Sequence, residues 1–242
     1  MSDRELAERL VRVAGSVALG LRGGPAGVKG LATDVVTEAD VRAEAAMVEL
    51  LRAERPGDGV RGEEGAAIEG ARSWLLDPVD GTLNYARGLP AWCSAACVVD
   101  SVGAVACAVL DPVAGELFSA ARGEAAPVAA DAPALAEAVV ATFVDVRRRD
   151  AEVTAGIERV LRRVGSLRAA GSGTLELAWV AAGRLDAWVQ ADVEPWDWHP
   201  GALLVAEAGG AVREAGRWRV AAGSAALADE IVVCVGAAPR HG

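Results

Sequence analysis

Carboxylates at three stations set the chemistry open to this chain: Glu63-Glu64 after Gly62, then Asp77-Pro78-Val79-Asp80, then Asp197 in Pro195-Trp196-Asp197. Carboxylates brought into one space repel unless a cation lies between them. Oxygen donors without His or Cys select a hard cation such as Mg²⁺ over Zn²⁺. Gly81-Thr82 follows directly and is expected to open a helix, whose first amides lack internal partners and bind anions. A metal cluster beside a phosphate cradle is the layout of a phosphoryl-transfer site.

The elements that must position these groups follow from periodicity. Leu6, Leu10, Val13, Val17 and Leu21 recur at three and four residues, which predicts a helix over 3–21 with that apolar face. Thr37 and Asp40 form a capping-box-like start for a second helix, with Val41, Ala45, Val48 and Leu51 as its stripe and Pro56-Gly57 as its end. Ser73–Leu76 reads as a short buried strand that ends at Pro78, which cannot donate to a ladder, so 77–82 is expected to turn. Ala91–Val99, Gly103–Leu110 and Glu116–Ala121 read as an antiparallel meander. Beyond it, Val139–Val144, Asp186–Gln190 and Ile231–Val235 read as strands, and Ala151–Val164, Gly173–Ala182 and Trp196–Ala208 as helices. The alternation predicts an α/β layer behind an α+β half, with the Ala-rich stretch at 124–138 as the seam. The expected domains are 1–125, carrying the metal and phosphate site, and 126–242, completing it.

The bulk properties narrow the class. The 242 residues carry a net charge of −10, are 52% hydrophobic and only 4% aromatic, so small side chains must do much of the packing. Phosphate backbones need a basic face, which argues against a nucleic-acid partner. A small phosphorylated ligand stays open, because bound cations reverse the local sign of an acidic site. No apolar run reaches membrane-spanning length, and MSDRELAERLVRVAG is too charged for a signal peptide. The four Cys lie in apolar stretches without metal-type spacing, so buried reduced thiols and a cytoplasmic home are expected. Lys29, Asn84 and Gln190 are each the only residue of their type.

Two longer motifs contain these stations: Trp74-Leu-Leu-Asp-Pro-Val-Asp-Gly-Thr-Leu-Asn-Tyr85 and Trp196-Asp-Trp-His-Pro-Gly-Ala-Leu-Leu-Val-Ala-Glu-Ala-Gly-Gly210. Together with Val36-Thr-Glu-Ala-Asp40, Gly62-Glu-Glu, Leu110-Asp-Pro and Gly171-Ser172, in that order, they resemble the inositol monophosphatase family of Mg²⁺-dependent, lithium-sensitive phosphatases. The resemblance covers residue 3 to about 235. It implies a layered αβαβα sandwich and two or three Mg²⁺ ions. Glu63, Asp77 and the Val79 carbonyl would hold the first ion, and Asp77, Asp80 and Asp197 the second, with a third near Glu63. The Gly81 and Thr82 amides would hold phosphate. Glu63 or Thr82 would be the immediate partner of the attacking water, and Asp40 the acid paired with Thr82. Lys29 would balance the metal-site glutamates, Glu64 among them. Gly171, Ser172 and Gln190 would line the substrate side together with Asp80 and Asp197. Relatives often form homodimers.

The resemblance has gaps on the alcohol side. Gly65 stands where the family often has Ser. Gln190 stands where an acid commonly binds inositol hydroxyls, and an amide cannot accept as a charged group. The stretch after Gly123 lacks the usual hairpin. Inositol 1-phosphate leads as substrate, followed by histidinol phosphate, fructose 1,6-bisphosphate and 3′-phosphoadenosine 5′-phosphate; a low-turnover regulatory relative is the competing class. No covalent intermediate is needed, and His199 reads as a packing residue.

Overall fold

Ser2 accepts from the Glu5 amide while the Glu5 carboxylate accepts from the Ser2 amide, a reciprocal cap that starts the first helix. The computed structural model describes residues 1–23, 26–28, 35–124, 132–143 and 150–236. In chain order its elements are α1 (Asp3–Leu21), β1 (Ala26–Val28), β2 (Val35–Thr37), α2 (Glu38–Glu54), β3 (Gly59–Gly62), β4 (Ala67–Ile68), β5 (Ser73–Asp80), α3 (Thr82–Arg87), β6 (Cys93–Val99), β7 (Ala104–Asp111), β8 (Glu116–Ala121), β9 (Val139–Thr142), α4 (Ala151–Leu161), β10 (Ser166–Arg168), α5 (Gly173–Ala181), β11 (Ala187–Ala191), α6 (Pro195–Glu207), β12 (Ala211–Ala215), β13 (Trp218–Ala222) and α7 (Ala225–Cys234).

Two sheets organise the layers. The larger runs β4-β3-β5-β6-β7-β8, antiparallel except where β3 pairs parallel with β5; the smaller runs β10-β9-β11-β13-β12. Leu6, Leu10, Met47 and Leu51 of α1 and α2 cover one face of the large sheet around Trp74. On its other face Leu175 of α5 and Leu203 and Leu204 of α6 meet Leu75, Cys97 and Val109. The same two helices bury Leu177, Trp198 and Val205 against Trp188 of the small sheet. Ile157 of α4 and Ile231 of α7 close the far face over Val140, Val189 and Val220. The result is the expected αβαβα sandwich, with α5 and α6 as a shared middle layer. Each fully buried large apolar side chain contributes roughly 1.5–3 kcal/mol. Trp74 combines such burial with a 2.9 Å hydrogen bond from its indole N–H to Asp58, which anchors the start of β5.

Several local expectations are corrected. The strand does not end before Pro78: β5 runs to Asp80, and the register against β6 shifts between Asp77 and Asp80. Proline is tolerated at such an irregularity because no ladder donor is needed there. Ile231–Val235 is not a strand. Ser224 caps a helix that buries Leu227, Ala228, Ile231 and Cys234 at helical spacing, and a short β-branched run does not distinguish the two forms by itself. The strand that completes the small sheet is instead β13, joined to β12 by a hairpin at Gly216-Arg217 that the sequence reading passed over.

The helix faces are also rotated. α1 buries Ala7, Val11, Ala14, Gly15 and Ala18 beside the expected Leu6 and Leu10. α2 buries Ala43, Glu44 and Met47, while Val41 is 54% exposed. All four cysteines are buried free thiols, and no helix among the described residues is long and apolar enough to cross a membrane.

Candidate active site

The register shift in β5 turns Asp77 and Asp80 toward the start of α6, where Asp197 lies in the first turn. Each of these three carboxylates offers an oxygen within 4.8 Å of the others. Asp77 is almost fully buried; Asp80 and Asp197 are half-buried. Burial, then the charges of Glu63, Asp80 and Asp197, hold the Asp77 carboxyl well above the usual range. Burial, then Asp80 and Glu63, do the same to Asp197. Such a set is strained without a cation and suits a hard divalent one, because all its donors are oxygen.

Each carboxylate is fixed separately. Asp77 Oδ1 accepts from the Val79 amide at 3.0 Å. Asp80 Oδ2 accepts from the Ser172 hydroxyl at 2.8 Å and from the Thr174 amide at 2.7 Å, so it caps α5 from outside. Those bonds pull its pKa down, but burial outweighs them and the net shift is upward. Asp197 is held through its carbonyl by the Thr174 hydroxyl at 3.1 Å. Glu63 sits where its amide bonds the Leu76 carbonyl at 3.1 Å, beside β5; its charge acts on Asp77 and Asp197, but it is not one of the group of three.

Gly81 has φ +97°, a left-handed conformation, and a Cβ there would meet the Ala91 and Gly171 carbonyls at 3.1 and 3.2 Å. Only glycine fits this corner. It starts α3, whose first residue, Thr82, places its hydroxyl 3.1 Å from both Asp40 Oδ1 and the Val79 carbonyl. Asp40 Oδ2 accepts from the amide of Thr37, at 2.8 Å, and from its hydroxyl, so the residue that pairs with Thr82 also caps α2. Burial raises the Asp40 pKa against these bonds. Asn84 Nδ2 donates to the Ala91 and Ala170 carbonyls, both at 2.6 Å, and ties α3 to the turn that carries Gly171 and Ser172. Gln190 is the penultimate residue of β11, with its Oε1 3.4 Å from where a Cβ on Gly173 would stand, at the start of α5. His199 is half-buried one turn into α6, with burial lowering its pKa.

The structure therefore brings together Asp40, Glu63, Asp77, Val79, Asp80, Gly81, Thr82, Ser172 and Asp197, with Gly171 and Gln190 at the α5 side. Lys29 lies outside the described residues, as do 125–131 after Gly123. Three polar groups around the site escaped the sequence reading: Thr174, Glu44 and Glu176. Glu44 was hidden by the misplaced face of α2, and Glu176 by the plainly apolar sequence around it.

Glu176 is fully buried; its Oε1 accepts from the Ala170 amide at 2.5 Å, and its Oε2 meets no hydrogen-bond donor within bonding distance among the described residues. Burial pushes its pKa up to about 8. The folded chain then holds a proton that the unfolded chain releases near the ordinary value of 4.5. Its contribution is complete below that value and is lost as pH rises toward 8. Glu176→Gln removes the dependence and retains an acceptor for Ala170. Its Tm relative to wild type is expected to climb by about 10 °C between pH 5 and 8, from about 1.4 kcal/mol per pKa unit and 2–4 °C per kcal/mol. Parallel Tm curves would contradict the assignment.

Fold and site define a class: a layered α/β sandwich with three convergent carboxylates that could hold a metal ion, beside the start of a helix. Residues 3–234 match the model of the inositol monophosphatase family, and the chain belongs to that family. It is 34% identical to an inositol-1-monophosphatase of Caulobacter vibrioides, over 75% of this chain and 76% of that one. It is 35% identical to a protein of Xylella fastidiosa named Nus factor SuhB, over 74% and 68%. The solved structure of a Thermotoga maritima IMPase superposes with a TM-score of 0.85 at 29% identity, covering 98% of this chain and 97% of that one.

Proposed function

We propose that this chain is a Mg²⁺-dependent phosphate monoester hydrolase, acting on inositol 1-phosphate or a related small polyol phosphate. The observation that carries the reading is the convergence of Asp77, Asp80 and Asp197 next to the Thr82–Asp40 pair. In this reading residues 1–125 provide most of the metal and phosphate site, and 126–242 complete it with Ser172, Gln190 and Asp197. Asp77, Asp80 and Asp197 would hold one ion, and Glu63 with Asp77 and the Val79 carbonyl another. When bound, the ions neutralise the phosphate, acidify a water and stabilise the leaving alkoxide.

The chain's own groups do the rest. The Gly81 and Thr82 amides, at the start of α3, would donate to the phosphate oxygens. The Thr82 hydroxyl donates to Asp40 and keeps lone pairs toward the site, so it can take a proton from water and pass its own to Asp40 Oδ1. The raised pKa of Asp40 suits it to receive that proton. Lys29 and Glu64 are assigned supporting roles, and a cytoplasmic homodimer is the expected form.

Phosphate release from a panel of inositol 1-phosphate, histidinol phosphate, fructose 1,6-bisphosphate and 3′-phosphoadenosine 5′-phosphate tests the substrate. The polyol monophosphate is expected to give the highest kcat/KM. The relatives named Nus factor SuhB favour a second reading, a regulatory protein with little turnover; a folded, Mg²⁺-binding protein that hydrolyses none of the panel would establish it.

Two further results are expected. Millimolar lithium should inhibit at limiting Mg²⁺ by occupying the Asp77–Asp80–Asp197 group, and rates unchanged across a lithium titration would remove that assignment. Gln190→Glu should raise kcat/KM for inositol 1-phosphate roughly ten-fold, because a carboxylate accepts from hydroxyls more strongly by about 1–2 kcal/mol. It should lower kcat/KM for the bisphosphate by repulsion. Equal effects on both substrates would mean that Gln190 does not face the alcohol.

A further inference from the structure

Glu44 lies one turn beyond Asp40 on α2, on the same buried face, and is only 5% exposed. Its two carboxylate oxygens are both used by a single turn of chain. Oε2 accepts from the Glu64 amide at 2.8 Å, and Oε1 from the Ala66 amide at 2.9 Å. The remaining amides of that turn are also committed. Gly62 donates to the Ala66 carbonyl at 2.8 Å, Gly65 to the Gly62 carbonyl at 3.4 Å, and Glu63 to Leu76 of β5 at 3.1 Å. The 62–66 turn is thus wrapped around the Glu44 carboxylate. A Cβ at Gly62 would come within 2.2 Å of Oε2, so the glycine is what lets the carboxylate enter.

We infer that Glu44 is a positioning residue for the metal centre: by gripping the Glu64 and Ala66 amides it fixes the turn that presents Glu63 to Asp77. α2 then sets two parts of the site from one rigid element. Asp40 holds Thr82, and Glu44, four residues on, holds the Glu63 turn. The inference rests on the metal-site reading above, and adds to it a residue that touches neither metal nor substrate.

Glu44→Gln preserves shape but sets an NH₂ against one of the two backbone donors, which breaks one bond and repels the amide. Supporting groups of this kind typically contribute 10–100-fold to metal affinity, so calorimetric Mg²⁺ binding should weaken at least about ten-fold. Gly62→Ala keeps the Glu44 charge but forces the carboxylate out of the turn, and should weaken binding in the same way. It also carries the test if Glu44→Gln does not fold. In phosphate release, the loss should fall mainly on the Mg²⁺ half-saturation rather than on the substrate KM at saturating metal. Variants that bind Mg²⁺ as tightly as wild type, with or without a lower Tm, would overturn the inference alone and leave Glu44 a packing residue. A wild-type protein that binds no Mg²⁺ would overturn the functional reading and this inference with it.

Discussion

Asp77→Asn is expected to abolish phosphatase activity while leaving the metal-free protein at least as stable as wild type. Asp77 belongs to the group of three carboxylates and is the one most deeply buried. Metal polarisation is worth several kcal/mol at the transition state, and each 1.4 kcal/mol is a factor of about ten, so the loss should reach at least about 10²–10³-fold. The local fold should survive, because Asn keeps an oxygen for the Val79 amide that Asp77 Oδ1 now accepts. Stability should rise without metal for the reason that raises the Asp77 pKa: a buried charge among Glu63, Asp80 and Asp197 is removed. A folded-state pKa above the unfolded value of 3.8 means that the wild type loses stability as pH climbs past that value, and the Asn variant escapes the loss. Added Mg²⁺ should then raise the wild-type Tm by binding linkage and leave the variant nearly unmoved. Melting curves at neutral pH with and without Mg²⁺, beside kcat for both proteins, give the comparison; wild-type turnover in the variant would contradict the metal assignment.

Asp40→Asn should lower kcat by roughly 10²–10³-fold, within the range of a lost general base. The two oxygens of Asp40 do different work. Oδ2 receives both donors of Thr37 and caps α2, while Oδ1 receives Thr82. An Asn side chain will keep its carbonyl toward the two Thr37 donors and turn its NH₂ toward Thr82. The Thr82 hydroxyl then points its proton at the Val79 carbonyl, 3.1 Å away, and has no base behind it. Helix and fold remain, and the proton relay is lost. Thr37→Ala is the matching control. It removes the cap and should cost about 1 kcal/mol of stability while leaving most of kcat. Comparable kcat losses in the two variants would assign Asp40 to architecture rather than to proton transfer.

Much of the site was legible in the sequence because its parts are local. Asp77, Asp80, Gly81 and Thr82 fall within six residues, and the capping box of α2 places Asp40 whatever the tertiary context. The β6–β8 meander was legible for the same reason, since turns and alternation are properties of neighbouring residues. What failed depends on distant partners. In a chain this rich in Ala and Gly, the buried stripe need not be the one with the largest side chains. α1 turns Gly15 to the large sheet, so close that a Cβ would lie 2.9 Å from Leu110, and Val13 and Val17 are left half-buried. The same rotation in α2 exposes Val41 and buries Glu44, which could be read as functional only once the 62–66 turn was seen around it. The exchange of β13 for α7 as the last sheet-related element is a matter of context too: Ile231–Val235 has strand composition, but the cap at Ser224 commits it to a helix.

The most direct test is phosphate release from myo-inositol 1-phosphate by metal-stripped protein as Mg²⁺ is titrated back. The expected result is no turnover without the ion, a saturable rise with it, and no rise in Asp77→Asn. Release that is independent of Mg²⁺, or that survives unchanged in Asp77→Asn, would contradict a hydrolase built on the three convergent carboxylates.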